Sequence, residues 1–234
     1  MTAIVHALAP VTLVGGAALH PGDLDLATAH APVIVAAEGG AQALLEAGRM
    51  PEAVIGDMES ITDAARAAFA GRLYPIEEQE TTDFDKALRH VAAPLVLAIG
   101  VTGGRFDHEL AVMHVLVRLP ERPCVVIGPE SLVFVCPPDL SLDLPVGSVL
   151  SLFPMGRVGV VSQGLRWPTD GLVFAPDRKI GTSNEVTGPV VLCADAPSML
   201  VILPREALAA VVRAFVWSGS VSAPDPVRWP ARAG

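Results

Sequence analysis

The sequence is short of positive charge. Its 234 residues include 16 lysines and arginines against 25 aspartates and glutamates, a formal net charge of −9. No basic stripe runs along it, which excludes a nucleic-acid partner. An anionic substrate must be met by a few placed basic groups and a cation, not by the global field. Cysteine is scarce too. Cys124, Cys136 and Cys193 make an odd count of three with no C-x-x-C, and they read as free thiols suited to a reducing compartment. No apolar stretch approaches the ~20 residues of a spanning helix. Residues 1–10 lack the basic start and apolar run of a signal peptide. The expectation is a soluble cytoplasmic protein with no membrane partner. Three catalytic signatures are also missing. There is no G-x-x-x-x-G-K-[ST], which excludes an ordinary P-loop kinase. There is no G-x-S-x-G nucleophile elbow. His108-Glu109 is not followed by a histidine at position 112, which is Val112, so there is no H-E-x-x-H zinc motif.

What the chain does have is apolar sequence. Hydrophobic residues are 51% and charged ones 18%, enough for one large domain or two modest ones. Apolar runs at 11–14, 33–37, 53–56, 72–76, 95–101, 124–128 and 132–136 read as strands, and 41–48, 61–70, 82–92 and 106–119 as helices. Strands alternating with helices predict a Rossmann-like α/β domain, a parallel sheet with helices on both faces. After Pro137-Pro138 the pattern changes. Short runs at 149–153, 158–162, 172–174, 190–193 and 199–203, separated by Gly and Pro turns, predict a small all-β sandwich domain. A terminal helix is expected over 204–216. The expected division is 1–137, 138–216 and a loose tail over 217–234.

Polar clusters follow the apolar runs, at strand ends where open parallel sheets bind ligands. Gly56-Asp57-Met58-Glu59-Ser60 sets two carboxylates two apart after a strand. That pair can hold magnesium, which takes one or two carboxylates plus substrate phosphates; a solvated acidic turn would look the same. Gln79 through Lys86 contains a helix start, with Thr82 as N-cap and Asp85 three residues on. Asp83 and Lys86 fall on one face of that helix, as a surface ion pair or as part of a phosphate–magnesium site. In Gly103-Gly104-Arg105-Phe106-Asp107-His108, glycines allow close backbone approach and Arg105 can fork onto phosphate. Asp107 can cap the helix, bind metal or orient Arg105. Trp167 is either core or an exposed plate for a planar or cationic ligand. Ser183 and Asn184 are turn formers or hydrogen-bonding groups for such a ligand.

Taken together, these segments resemble the thiamine pyrophosphokinase family from about Gly15-Gly16 to about Leu203. The matching pieces are Glu38-Gly39-Gly40, Gly56 through Ser60, Gln79 through Lys86, Gly103 through His108, Gly164 through Trp167, and Ser183-Asn184. Each is weak alone; six in order over both expected domains are specific. The resemblance implies transfer of the pyrophosphoryl group of ATP to the thiamine hydroxyl, with Mg2+ as cofactor, in a homodimer. It implies Asp57, Glu59 and Asp83 for the metal, and Asp57, Asp83, Lys86, Arg105 and Asp107 as catalytic residues. Gly15, Gly16, Glu38, Gly39, Thr82, Gly104 and His108 would lie around the nucleotide. Trp167, Ser183 and Asn184 would lie around thiamine at the dimer interface. Two positions depart from the family pattern: Glu38 and Glu59 stand where it has Asp. The added methylene implies a small backbone adjustment, slower turnover, altered metal choice or another acceptor alcohol. Two other readings share these residues: a related pyrophosphotransferase, and a non-catalytic binder of thiamine or its diphosphate.

Overall fold

A computed structural model describes residues 2–217 of the chain. It contains two compact units. One holds the residues up to Val115 together with Cys124–Pro129, the other Leu116–Pro123 together with the residues from Glu130 on.

The first unit runs β1 (Val5–His6), β2 (Val11–Val14), α1 (Asp23–His30), β3 (Val33–Ala37), α2 (Ala41–Glu46), β4 (Ala53–Gly56), α3 (Asp63–Ala68), β5 (Leu73–Pro75), α4 (Asp83–Arg89), β6 (Val91–Ala92), β7 (Val96–Ile99), α5 (Phe106–Arg118) and β8 (Cys124–Ile127). The last residues of α5, from Leu116, belong to the second unit. The main sheet has the order β8-β7-β2-β3-β4-β5, and its pairs are all parallel. Strands β2, β4, β7 and β8 are buried at every position. A strand buried on both sides is covered on both sheet faces, which is why these segments read as unbroken apolar runs. From β2 the chain first adds strands on one side and later, with β7, on the other. The crevice at the carboxyl ends of β2 and β7 is therefore a topological switch point, the usual ligand position in open α/β sheets.

Two local expectations are corrected. The helix expected over 82–92 stops at Arg89, and Val91–Ala92 instead pairs in parallel with Val5–His6. The segment Asp23–His30 is a helix that the sequence reading did not assign.

The second unit runs β9 (Ser131–Val135), β10 (Asp139–Leu142), β11 (Val149–Pro154), β12 (Val158–Leu165), β13 (Val173–Phe174), β14 (Gly181–Ala194), β15 (Met199–Pro204) and α6 (Leu208–Trp217). Its strand pairs are all antiparallel. Burial alternates along β10 and β11, as one face turns to a core and the other away. The 14-residue β14 is the spine: Asn184 and Glu185 pair with β11, and residues 190–193 pair with β10. Ser183 and Asn184 thus lie within a strand and not in a turn. Their turn-like chemistry has a local cause. The β11–β14 register shifts between Leu150 and Leu152, and Ser183 takes a left-handed φ of 60° opposite that irregularity. Phe215 of α6 meets Phe134 edge-on, with centroids 5.5 Å apart. Trp217 closes α6, so the expected tail does not begin there; its remainder, 218–234, lies outside the described residues. Among the described residues no helix is long and apolar enough to cross a membrane.

Candidate functional site

Glycines shape the switch point first. Strand β2 ends in Gly15-Gly16, and β3 runs into a 3-10 turn, Glu38–Gly40. These two turns touch backbone to backbone: a Cβ on Gly39 would lie 2.9 Å from the Gly16 Cα, closer than real Cβ contacts allow. The turn after β7 closes on the same place, with the Ala17 N–H donating to the Gly100 carbonyl at 2.8 Å. Gly15, Gly16 and Gly39 are thus gathered at the carboxyl ends of β2, β3 and β7.

Beside them, β4 ends at Gly56 and the chain turns through Asp57-Met58-Glu59-Ser60. Met58 adopts a left-handed φ of 65°. For a non-glycine residue that conformation costs about 1–3 kcal/mol, so something must hold it. Glu38 does. Its carboxylate is 1% exposed. Oε2 accepts the Met58 N–H, and Oε1 accepts the Ser60 N–H and the Ser60 hydroxyl, the last at 2.8 Å. From α3, Arg66 donates to the Met58 carbonyl at 2.7 Å. Gly56 is required beneath this arrangement: a Cβ there would come within 2.5 Å of the Glu38 Cβ and 3.2 Å of Asp83 Oδ1.

Helix α4 brings the remaining charges. Thr82 caps it, accepting the Asp85 N–H at 3.3 Å. Lys86 is 1% exposed, and its Nζ reaches Asp57 Oδ2 at 2.6 Å and Asp83 Oδ1 at 3.3 Å. The ammonium hydrogen bond holds the Asp57 carboxyl below the ordinary range against the opposing effect of burial. Asp83 moves the other way. Burial raises it, the charges of Asp57 and Glu38 add to that, and Lys86 only partly offsets them. Burial pulls Lys86 down, but its bond to Asp57 and the attraction of Asp83 outweigh this and leave it raised.

Oxygens of Glu38, Asp57 and Asp83 lie within 4.8 Å of one another. An all-carboxylate set of this span suits a hard divalent cation such as magnesium. Glu59, expected among the metal ligands, is exposed and stands outside this trio; its N–H points back to Asp57 Oδ1 at 3.4 Å.

The loop after β7 carries a separate feature. Arg105 forks onto Asp107, Nε to Oδ1 at 3.1 Å and Nη2 to Oδ2 at 2.6 Å, with both side chains well exposed. Of the three roles open to Asp107, orienting Arg105 is the one the structure displays. The pairing lowers the Asp107 carboxyl and raises the Arg105 guanidinium. Gly104 and His108 are exposed beside it.

In the second unit, Trp167 is 54% exposed. Asn184, 7% exposed, clamps its peptide: Asn184 Oδ1 accepts the Trp167 N–H at 3.1 Å and Nδ2 donates to the Trp167 carbonyl at 2.7 Å. The Ser183 N–H donates to Ser151 Oγ at 2.9 Å. Arg166 sits over the indole, its Cζ 5.1 Å from the ring centroid, and binds Glu185 Oε2 at 3.0 Å. The sequence reading missed Arg66 and Arg166. Arg166 was legible as the neighbour of an aromatic plate, since guanidinium stacks readily on indole. Arg66 carried no signal, because its contact depends on how α3 packs against the turn. The cysteines are free, and burial pushes the thiols of Cys124 and Cys136 far up.

The chain is similar to known proteins over most of its length. The family model described as "Thiamin pyrophosphokinase, catalytic domain" matches residues 24–127, and "Thiamin pyrophosphokinase, vitamin B1 binding domain" matches residues 139–197. Thiamine pyrophosphokinase 1 of Oryza sativa subsp. japonica is 28% identical over 156 residues, 58% of this chain and 59% of that protein. Thiamine pyrophosphokinase 2 of Arabidopsis thaliana is 28% identical over 161 residues, 60% of each. The matched region spans about three fifths of the length of these curated relatives. Among solved structures, thiamin pyrophosphokinase from Candida albicans superposes with a TM-score of 0.69 at 15% identity, covering 86% of this chain and 92% of that one. The enzyme from Geobacillus thermodenitrificans gives 0.68 at 22% identity, covering 83% and 96%. These superpositions establish the fold.

Proposed function

The chain belongs to the thiamin pyrophosphokinase family, and from that premise we propose that it transfers the pyrophosphoryl group of ATP to the hydroxyl of thiamine, yielding thiamine diphosphate and AMP. The observation that carries this reading is the buried Lys86 ammonium bonded to both Asp57 and Asp83 beside the glycine turns. The first unit is the ATP-binding domain and the second, with β9 included, is a thiamine-binding β-sandwich, close to the expected division at 137. The protein works as a cytoplasmic homodimer with thiamine at the interface.

Asp57 and Asp83 would hold Mg2+, with Glu38 beside them and Glu59 on the same turn. The cation, when bound, offsets the phosphate charge and orients the transferred group. Gly15, Gly16 and Gly39 present backbone close to the nucleotide, because no side chain intervenes. Thr82 fixes the start of α4, and Lys86 supplies a buried positive charge. Arg105 exchanges Asp107 for phosphate, which its planar fork fits equally well. Gly104 and His108 flank that contact. Trp167 lies against the cationic thiamine rings, with Ser183 and Asn184 alongside. The thiamine oxygen attacks the β-phosphorus, the bond to the bridging oxygen of AMP breaks, and Asp83 takes the hydroxyl proton. Little covalent chemistry falls to the protein; positioning and charge do the work.

The test is AMP release from ATP and Mg2+ by the purified protein, with and without thiamine, beside Glu59→Asp. Thiamine-dependent AMP matched by thiamine diphosphate is the expected result. No turnover by either protein would contradict the transferase.

A further inference from the structure

Glu38 stands with two acids that suit a metal, yet its own bonds point elsewhere. A carboxylate offers about four lone-pair sites. Three of those on Glu38 are engaged: Met58 N–H on Oε2, and Ser60 N–H and hydroxyl on Oε1. The side chain is 1% exposed, so water cannot replace these partners. Magnesium is content with one or two carboxylates, and Asp57 and Asp83 already supply two. Meanwhile the turn that carries Asp57 includes a left-handed Met58, which needs an external hold. Gly56 leaves the space through which the Glu38 stem passes.

We propose that Glu38 is a positioning residue that fixes the Asp57–Ser60 turn by accepting its amides, and is not itself a metal ligand. Its negative charge acts on N–H groups, and its effect on the cation runs through Asp57. Ser60, whose hydroxyl shares Oε1, is part of the same device. Only the kinetic arm of this inference rests on the transferase reading; the spectroscopic and metal-binding arms stand without it.

The experiment compares the native protein with Glu38→Gln, Ser60→Ala and the double variant. The amide resonances of Met58 and Ser60 are recorded without metal, and binding of Mn2+ alone is followed by electron paramagnetic resonance. Gln presents an N–H2 to a site that holds only donors, so both amides should move and Mn2+ binding should weaken without vanishing. In turnover, Glu38→Gln should lose on the order of a hundredfold in kcat, the scale of a 1 Å misplacement, while the KM for thiamine stays within about twofold. Ser60→Ala should lose less in the same sense, and the double variant should be no worse than Glu38→Gln. Unmoved amides with Mn2+ binding abolished would overturn the proposal, as would losses that multiply in the double variant. If Glu38→Gln does not fold, Ser60→Ala decides alone: a moved Met58 amide with weakened Mn2+ binding supports the proposal, and an unmoved amide with unchanged binding overturns it. If the native protein makes no thiamine diphosphate, the transferase reading fails while the amide and Mn2+ results still assign Glu38.

Discussion

Lys86 is the residue on which the site's charges balance. Its ammonium is buried between Asp57 and Asp83, and removing one partner of a buried ion pair leaves the other uncompensated. Lys86→Met should destabilise the fold toward the lower end of ~3–5 kcal/mol, since Asp83 keeps some solvent, and should cost at least ~100-fold in kcat. Denaturant titration and steady-state rates check this; unchanged stability would show that the pair is not coupled to folding. Gly56→Ala should destabilise by about 1–3 kcal/mol through overpacking against Glu38, because its new Cβ would stand 2.5 Å from the Glu38 Cβ. A pH effect belongs at this scale too. The Thr81 hydroxyl and the Arg89 guanidinium hold the Glu78 carboxyl down from 4.5 to about 2. A depressed carboxyl adds stability that is complete above its unfolded value and is lost as pH falls through the folded one. Its carbon resonance should titrate near 2, and a midpoint near 4.5 would show the contact absent.

Among the elements, β14 has the clearest consequence. Its irregular pairing with β11 places Asn184 so that both ends of its side-chain amide serve the Trp167 backbone. Asn184→Ala should therefore destabilise by ~1–3 kcal/mol, the cost of leaving buried polar groups unpaired. It should also raise the KM for thiamine roughly tenfold with kcat little changed. A fall in kcat at constant KM would contradict a role in orienting the indole. The same strand shows where sequence patterns stop. Gly188 and Pro189 fall where a Gly and Pro turn is expected before the 190–193 run, yet β14 continues through them, paired with three neighbouring strands. In α1, Asp23-Leu24-Asp25-Leu26 alternates with a strand's period, and only Asp23 and Ala27 are buried. No helical stripe was there to be seen. By contrast β2, β4 and β7 were legible because double-sided burial admits only apolar residues. The Thr82 cap and the Asp83–Lys86 spacing were legible for a local reason, helix geometry. The pairing of Lys86 with Asp57 was not, since 29 residues separate them and only the sheet order brings them together.

For the whole molecule, two family models cover the two segments in the expected order, and the switch point between β2 and β7 gathers the glycine turns. In the proposed reaction, two phosphates move together from ATP to thiamine. The most direct measurement uses ATP labelled in the β-phosphate, with Mg2+ and thiamine, and follows the label. It should appear in thiamine diphosphate in step with unlabelled AMP, and only when thiamine is present. Label retained in ADP, or AMP formed without thiamine, would contradict it.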